Sequence, residues 1–161
     1  MDNKTTENES LKELDGFFGN IRDMLRNNEN ITGVKALDVI TDFLFLRLLN
    51  YEMDKNKKID FDTYKYNTKI KILNFEYELD DYKKYFKWSE IIKLINIIDK
   101  NSTDYETKEL FTNVMQYFIF EGVFKFNPKT APIYKNRNFT VKKMTTLIKL
   151  VKIFNKMDFE K

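Results

Sequence analysis

ITGVKALDVITDFLFLRLLNYEMDK, residues 31–55, is the stretch on which the fold turns. Apolar residues recur in it at three- and four-residue steps, the period of an α-helix rather than of a strand. Thr32 or Gly33 opens the helix, and Val34, Leu37, Ile40, Leu44 and Leu48 form one stripe, widened by Phe43, Phe45 and Leu46. A helix apolar around most of its circumference belongs in the middle of a bundle, so Leu44 and Leu48 are expected in the core. Arg47 interrupts the run. It reads either as a side chain that lays its stem on apolar surface and pairs with Asp42 or Glu52, or as a cation held at a domain edge for an acidic partner; the first is the expectation.

Upstream, residues 1–9 read as a polar tail. Leu11, Leu14, Phe17, Phe18, Ile21 and Leu25 then mark an amphipathic helix that ends near Asn27, with NNENITG as the loop into the central helix. Downstream, MDKNKKID is a solvated linker. In TKIKILNFEYEL, Ile70 and Ile72 alternate with lysines, and Phe75, Tyr77 and Leu79 alternate with acids. Period two predicts one or two short strands, a hairpin turning near Leu73–Asn74. Ser89 is placed to cap a helix that buries Ile91, Leu94, Ile95 and Ile98, and Asp104 or Thr103 to start another, closed by Gly122. FNPKTAPIY, which holds both prolines, reads as an ordered loop, and Thr140 as the cap of VKKMTTLIKLVKIFNKM. The expected fold is mainly α, a single helical-bundle domain over residues 10–161 with about five helices and a small β-hairpin within 61–79.

Composition narrows the chemistry. The 161 residues contain no cysteine and no histidine, which excludes a disulfide scaffold, Cys- or His-ligated metal sites and triads with a histidine base. No segment reaches the roughly 18–20 uninterrupted apolar residues of a membrane span. The polar start MDNKTTENES lacks a signal peptide's apolar stretch, so the cytoplasm is the expected compartment and no membrane partner is expected. Net charge is +3 but unevenly placed: residues 1–30 sum to −3, whereas 125–161 carry nine Lys and one Arg against Asp158 and Glu160. A basic C-terminal quarter is what a phosphate backbone meets.

No glycine loop of the phosphate-cradling kind is present, and GFFG has the wrong spacing. Asp38, Asp42, Asp80 and Asp81 read as helix faces or termini, not as an acid/base pair. NPKT at 127–130 resembles the Asn-Pro-Pro-aromatic loop of amino-directed DNA methyltransferases, but it lacks the second proline and the aromatic that would stack on a flipped base; it reads as a loop. The mixture of basic and aromatic residues in TYKYNTKIKILNFEY and YKKYFKW fits single-strand binders, although such aromatics more often form core. The remaining candidates are the lysines of the last helix. Lys142, Lys149 and Lys156 lie seven apart with Lys152 beside them, and Lys135 and Arg137 precede them, a set suited to nucleic-acid phosphates along roughly 20 Å of helix.

IRDMLRNN, a short polar gap and ALDVITDFLFLRLLNYEMDK together resemble the opening of the methyltransferase (M) subunit of type I restriction-modification systems, a family of N6-adenine DNA methyltransferases. Leu25–Arg26 stands at the family's Leu-Arg-Gly-like step, with Asn27 in place of glycine, and Phe45–Leu46–Arg47–Leu48–Leu49 at its Phe-Leu-(Lys/Arg)-(aliphatic)-Leu motif. LIKLVKIFNKMDFEK is similar to the family's last N-terminal helix, which precedes the AdoMet-binding domain. The 61–86 segment departs from the bacterial pattern, and the Asn/Lys/Ile bias suits a large DNA virus or an A+T-rich bacterium. The resemblance implies an N-terminal helical domain of a longer enzyme. Its partners would be DNA, the catalytic domain of the same chain, and a specificity or second methyltransferase subunit. AdoMet would bind in the parent enzyme, and no catalytic residue, cofactor or metal is expected within 1–161. The alternative class is a stand-alone helical adaptor that binds only protein.

Overall fold

A computed structural model describes residues 2–55 and 66–156, with side chains from Asp15 onward except at 50 and 52–55. Six α-helices and one hairpin follow in order: α1 Asp2–Glu29, α2 Val34–Lys55, β1 Lys69–Ile72, β2 Phe75–Glu78, α3 Trp88–Lys100, α4 Tyr105–Asn113, α5 Ala131–Tyr134 and α6 Met144–Asn155. Two short 3₁₀ turns, Leu79–Asp81 and Lys83–Phe86, join the hairpin to α3. The mainly helical reading with a small hairpin holds. The linker after Lys55 and the last five residues of LIKLVKIFNKMDFEK lie outside the described residues. Helix α1 starts at Asp2 rather than at Leu11, so the polar N-terminal residues continue the same helix.

The α1–α2 turn explains itself. Asn30 takes φ 56°, where a short polar side chain is tolerated, and its N–H donates to Arg26 O at 3.1 Å to close the helix. Ile31 follows it into the core, and Gly33, at φ 61°, opens α2. Helices α1, α2 and α6 then pack around Phe154, which stacks on Phe43 (5.2 Å, 20°) and meets Phe17 edge-on (5.5 Å, 87°).

Helix α2 is central, but it faces the core with a different stripe from the expected one. Ala36, Val39, Ile40, Phe43, Leu46 and Leu49 are buried; Leu44 is half-buried, and Val34, Leu37 and Leu48 are exposed at 74, 52 and 43%. Two apolar stripes compete on this helix, and hydropathy alone does not choose between them. The winning one carries Ala36, which lets a neighbour approach, and Phe43, which fills the space beside Phe154. Arg47 lies against apolar surface, as expected. Its guanidinium lies 4.7 Å from the centre of the buried Trp88 ring; of its two expected carboxylate partners, Asp42 is engaged by Arg137, and the side chain of Glu52 lies outside the described residues. The Trp88 indole N–H donates to Asn155 Oδ1 at 2.8 Å, tying α3 to α6.

The hairpin turns at Leu73–Asn74, with Ile72 opposite Phe75 and Lys69 opposite Glu78. Leu73 sits at φ 55° and is 89% exposed, the first turn position where glycine is usual. Of the aromatics that alternate with charges nearby, Tyr77 and Tyr82 pack on Phe118 at 5.3 and 5.0 Å, whereas Phe75 is 70% exposed. Asp104 caps α4, its carboxylate accepting from Thr107 N at 3.1 Å, as expected. Ser89 does not cap α3, which starts one residue earlier at Trp88.

After Asn113 the helix does not close but widens into π winding over Val114–Phe118 and Phe120–Phe124. This winding brings Gly122 under the hairpin, where its carbonyl accepts from Asn67 N at 2.7 Å. A Cβ there would press into Leu79 Cδ1 and sit 3.0 Å from Ile70 Cδ1. Leu79 is itself fully buried, so it has little room to give way. Gly122→Ala is expected to cost about 1–3 kcal/mol through overpacking, read as a lowered midpoint in chemical denaturation.

Candidate nucleic-acid interface

The candidate basic residues separate into three groups. On α6, Lys149, Lys152 and Lys156 share an outer face with Thr145, while Thr146, Leu147, Leu150, Val151 and Phe154 face the core. The step from Lys149 to Lys156 is about 10 Å along the axis. Lys149 and Lys156 have no ion pair among the described residues, whereas Lys152 Nζ lies 2.9 Å from Asp99 Oδ2 of α3 with both side chains about half-exposed. Such a pair contributes little to stability and is open to exchange.

Lys142 stands apart from that face, against expectation, because α6 begins at Met144 and Thr140 is not its cap. The reason is a pair of distant side chains. Glu29, at the end of α1, accepts from Lys142 N at 3.3 Å and from Lys143 N at 2.8 Å, and Gln116 Nε2 donates to Val141 O at 3.0 Å and Lys142 O at 3.1 Å. Held from both sides, Val141–Lys143 stays outside the helix, with Lys143 extended (φ −86°, ψ 129°) at the N-cap. Lys142 and Lys143 both point to solvent. Lys143 falls outside the seven-residue register, which is why spacing alone does not single it out.

Lys135, which ends α5, is also exposed. Arg137, its companion in the expected set, is directed inward. Its Nη2 donates to Asp42 Oδ1 at 2.7 Å and to Asp38 O at 3.1 Å, and its guanidinium stacks 4.6 Å from the centre of the Tyr134 ring. Tyr134 is fully buried, stacked on Phe124 at 4.8 Å and edge-on to Phe120 at 5.3 Å. Burial pushes the Asp42 carboxyl up from 3.8 to about 6, against the opposing pull of Arg137. Burial and the neighbouring Asp42 likewise push the Tyr134 phenol well above its ordinary range; the hydroxyl faces the carboxylate without closing a hydrogen bond of good geometry. Asp42, Tyr134 and Arg137 therefore form an internal clamp between α2 and the loop before α6, and Arg137 is not presented to an outside phosphate.

The NPKT loop is also accounted for by local bonding. Asn127 Oδ1 accepts from Lys129 N at 3.0 Å, and Thr130 Oγ1 donates to Phe124 O at 2.6 Å, so both polar side chains close the turn that leads into α5. A small cleft beside Asp42 is lined by Phe43, Leu46, Met115, Ile119, Phe120, Phe124 and Phe139, with no second polar group to orient a ligand. Among the described residues no group of acids could hold a metal ion, and no helix is long and apolar enough to cross a membrane. Comparison with family models, with curated proteins and with solved structures finds no match to this chain.

Proposed function

We propose that this chain is a non-catalytic helical domain that meets the phosphate backbone of duplex DNA, as part of an N6-adenine DNA methyltransferase of the kind found as the M subunit of type I restriction-modification systems. One observation carries the DNA contact: Lys135, Lys142, Lys143, Lys149 and Lys156 are exposed and have no ion pair among the described residues, within the quarter of the chain that holds its positive charge. The family assignment rests on the resemblance of residues 21–55 to the opening of such subunits. Lysine contacts to phosphate hold and orient a duplex without reading its sequence. AdoMet and base chemistry would belong to the rest of the parent enzyme.

The test is a charge reversal. Replacing Lys142, Lys149 and Lys156 by Glu is expected to weaken binding about equally for unrelated duplexes. It should also flatten the dependence of log K on log salt by about 0.9 for each phosphate that is no longer neutralised. The control reverses Lys71, Lys84 and Lys93, which are exposed on other elements. Equal losses in both variants would mean that only net charge matters, and the assignment fails. No loss in either favours the second reading, a helical adaptor. That reading has its own support in α2, whose exposed Val34, Leu37 and Leu48 continue through Thr41 and the half-buried Leu44 at alternating three- and four-residue steps, the spacing of a helix-docking seam.

A further inference from the structure

We infer that Glu29 and Gln116 are positioning residues for phosphate contact: by gripping the segment Val141–Lys143 from two sides, they hold Lys142 and Lys143 in a conformation ready to meet a duplex. The inference rests on the DNA reading above and adds residues that no charge pattern singles out.

Its basis is where four backbone groups go. The N–H groups of Lys142 and Lys143 and the C=O groups of Val141 and Lys142 have no strand or helix partner, yet all four are taken up by side chains of two other elements. Three of these four bonds lie at the exposed surface. There, water is an equally good partner, so the bonds add little net stability. What they do is fix conformation. Val141 anchors the segment in the core, fully buried, while the next two side chains project into solvent. Gln116 reaches it from within the first π-wound stretch, a departure from regular winding of the sort that recurs at functional sites. The Glu29 carboxylate is directed at two amide dipoles, and neither lysine ammonium is neutralised by an ion pair among the described residues. A free loop would have to lose conformational freedom when its lysines met phosphates. A gripped segment has already lost it, and the difference appears as affinity.

The experiment uses the full chain, a duplex of about 20 base pairs and arbitrary sequence, and the variants Gln116→Met and Glu29→Gln, which keep side-chain length. Hydrogen exchange at the Lys142 and Lys143 amides is expected to accelerate in Glu29→Gln. Both variants should unfold at the parent's denaturant midpoint. Duplex affinity is expected to fall about threefold to tenfold in Gln116→Met, from the ordering cost of one or two side chains, and by less in Glu29→Gln, which also removes a negative charge beside the phosphates. Lys142→Glu should then cost less in the Gln116→Met background than in the parent, because the two changes act through one element. Unchanged affinity in both variants, with Lys149→Glu still weakening binding, overturns the grip and leaves the DNA reading standing. Full additivity with Lys142→Glu overturns it as well. Absence of duplex binding by the unaltered chain overturns both.

Discussion

Replacing Arg137 by Met is expected to destabilise the chain by about 3–5 kcal/mol near neutral pH, and by clearly less near pH 5. Among the described residues, only Arg137 supplies a cation to Asp42, which is 6% exposed. Without it, the carboxylate must either stay charged in an apolar pocket or take up a proton, and at neutral pH both are costly. The sign of the pH effect follows from Asp42 itself. Its folded value is raised to about 6 from 3.8, so its contribution is fully present below about pH 4 and is lost as pH rises through 6. The shift corresponds to a contribution on the order of 3 kcal/mol across that window. Asp42→Asn should therefore remove a downward slope in stability between about pH 4 and 6, measured by urea denaturation against the parent. Asp104 acts in the opposite sense, because the Thr107 N–H holds its carboxyl below the ordinary value, so its contribution disappears on acidification. The difference between Asp42→Asn and the parent isolates the clamp. A parallel pH profile in the two proteins would show that Asp42 is not buried with its charge.

Phe43→Ala should cost about 3–5 kcal/mol, whereas Leu48→Ala should cost under about 1 kcal/mol. Phe43 is 1% exposed and stacked on Phe154 where α1, α2 and α6 meet, so truncation leaves a cavity that rigid neighbours cannot fill. Leu48 already has water on one side, at 43% exposure. Denaturation midpoints of the two variants decide which stripe of α2 faces the core. Equal losses would place both stripes inside and contradict the exposed seam.

The parts of the fold that are legible in the sequence are those set by neighbours a few residues away. Alternation around Leu73–Asn74 predicts the hairpin and its turn, and Asp104 or Thr103 the start of α4, because strand pairing across a two-residue turn and a helix cap are both local. What stays hidden depends on distant partners. The start of α6 is set by Glu29, 113 and 114 residues before the amides it accepts from, and it overrides the local cap signal of Thr140. Arg137 and Asp42 are 95 residues apart, so a cation on a basic segment reads as surface until the clamp is seen. The α2 stripe is a different failure: both faces satisfy the same period, and only the shapes of Ala36 and Phe43 against the neighbouring helices break the tie. For the candidate site, the lysines of α6 are visible from their spacing. Lys143 and the two side chains that hold its segment are not.

The wide winding from Val114 to Phe124 makes the effect of a lost residue depend on where it falls. In regular α winding, as in α4, a one-residue deletion rotates everything beyond it by about 100°. A π-wound turn already holds one residue more than an α turn, so a deletion within Val114–Phe118 closes the winding to ordinary α and leaves the residues beyond it in phase. Gly122 would then keep its place under Leu79, and Phe120 its place against Tyr134. The same deletion within Tyr105–Asn113 would turn both away. The wide turns are thus where this chain can absorb a change of length that its regular helices cannot.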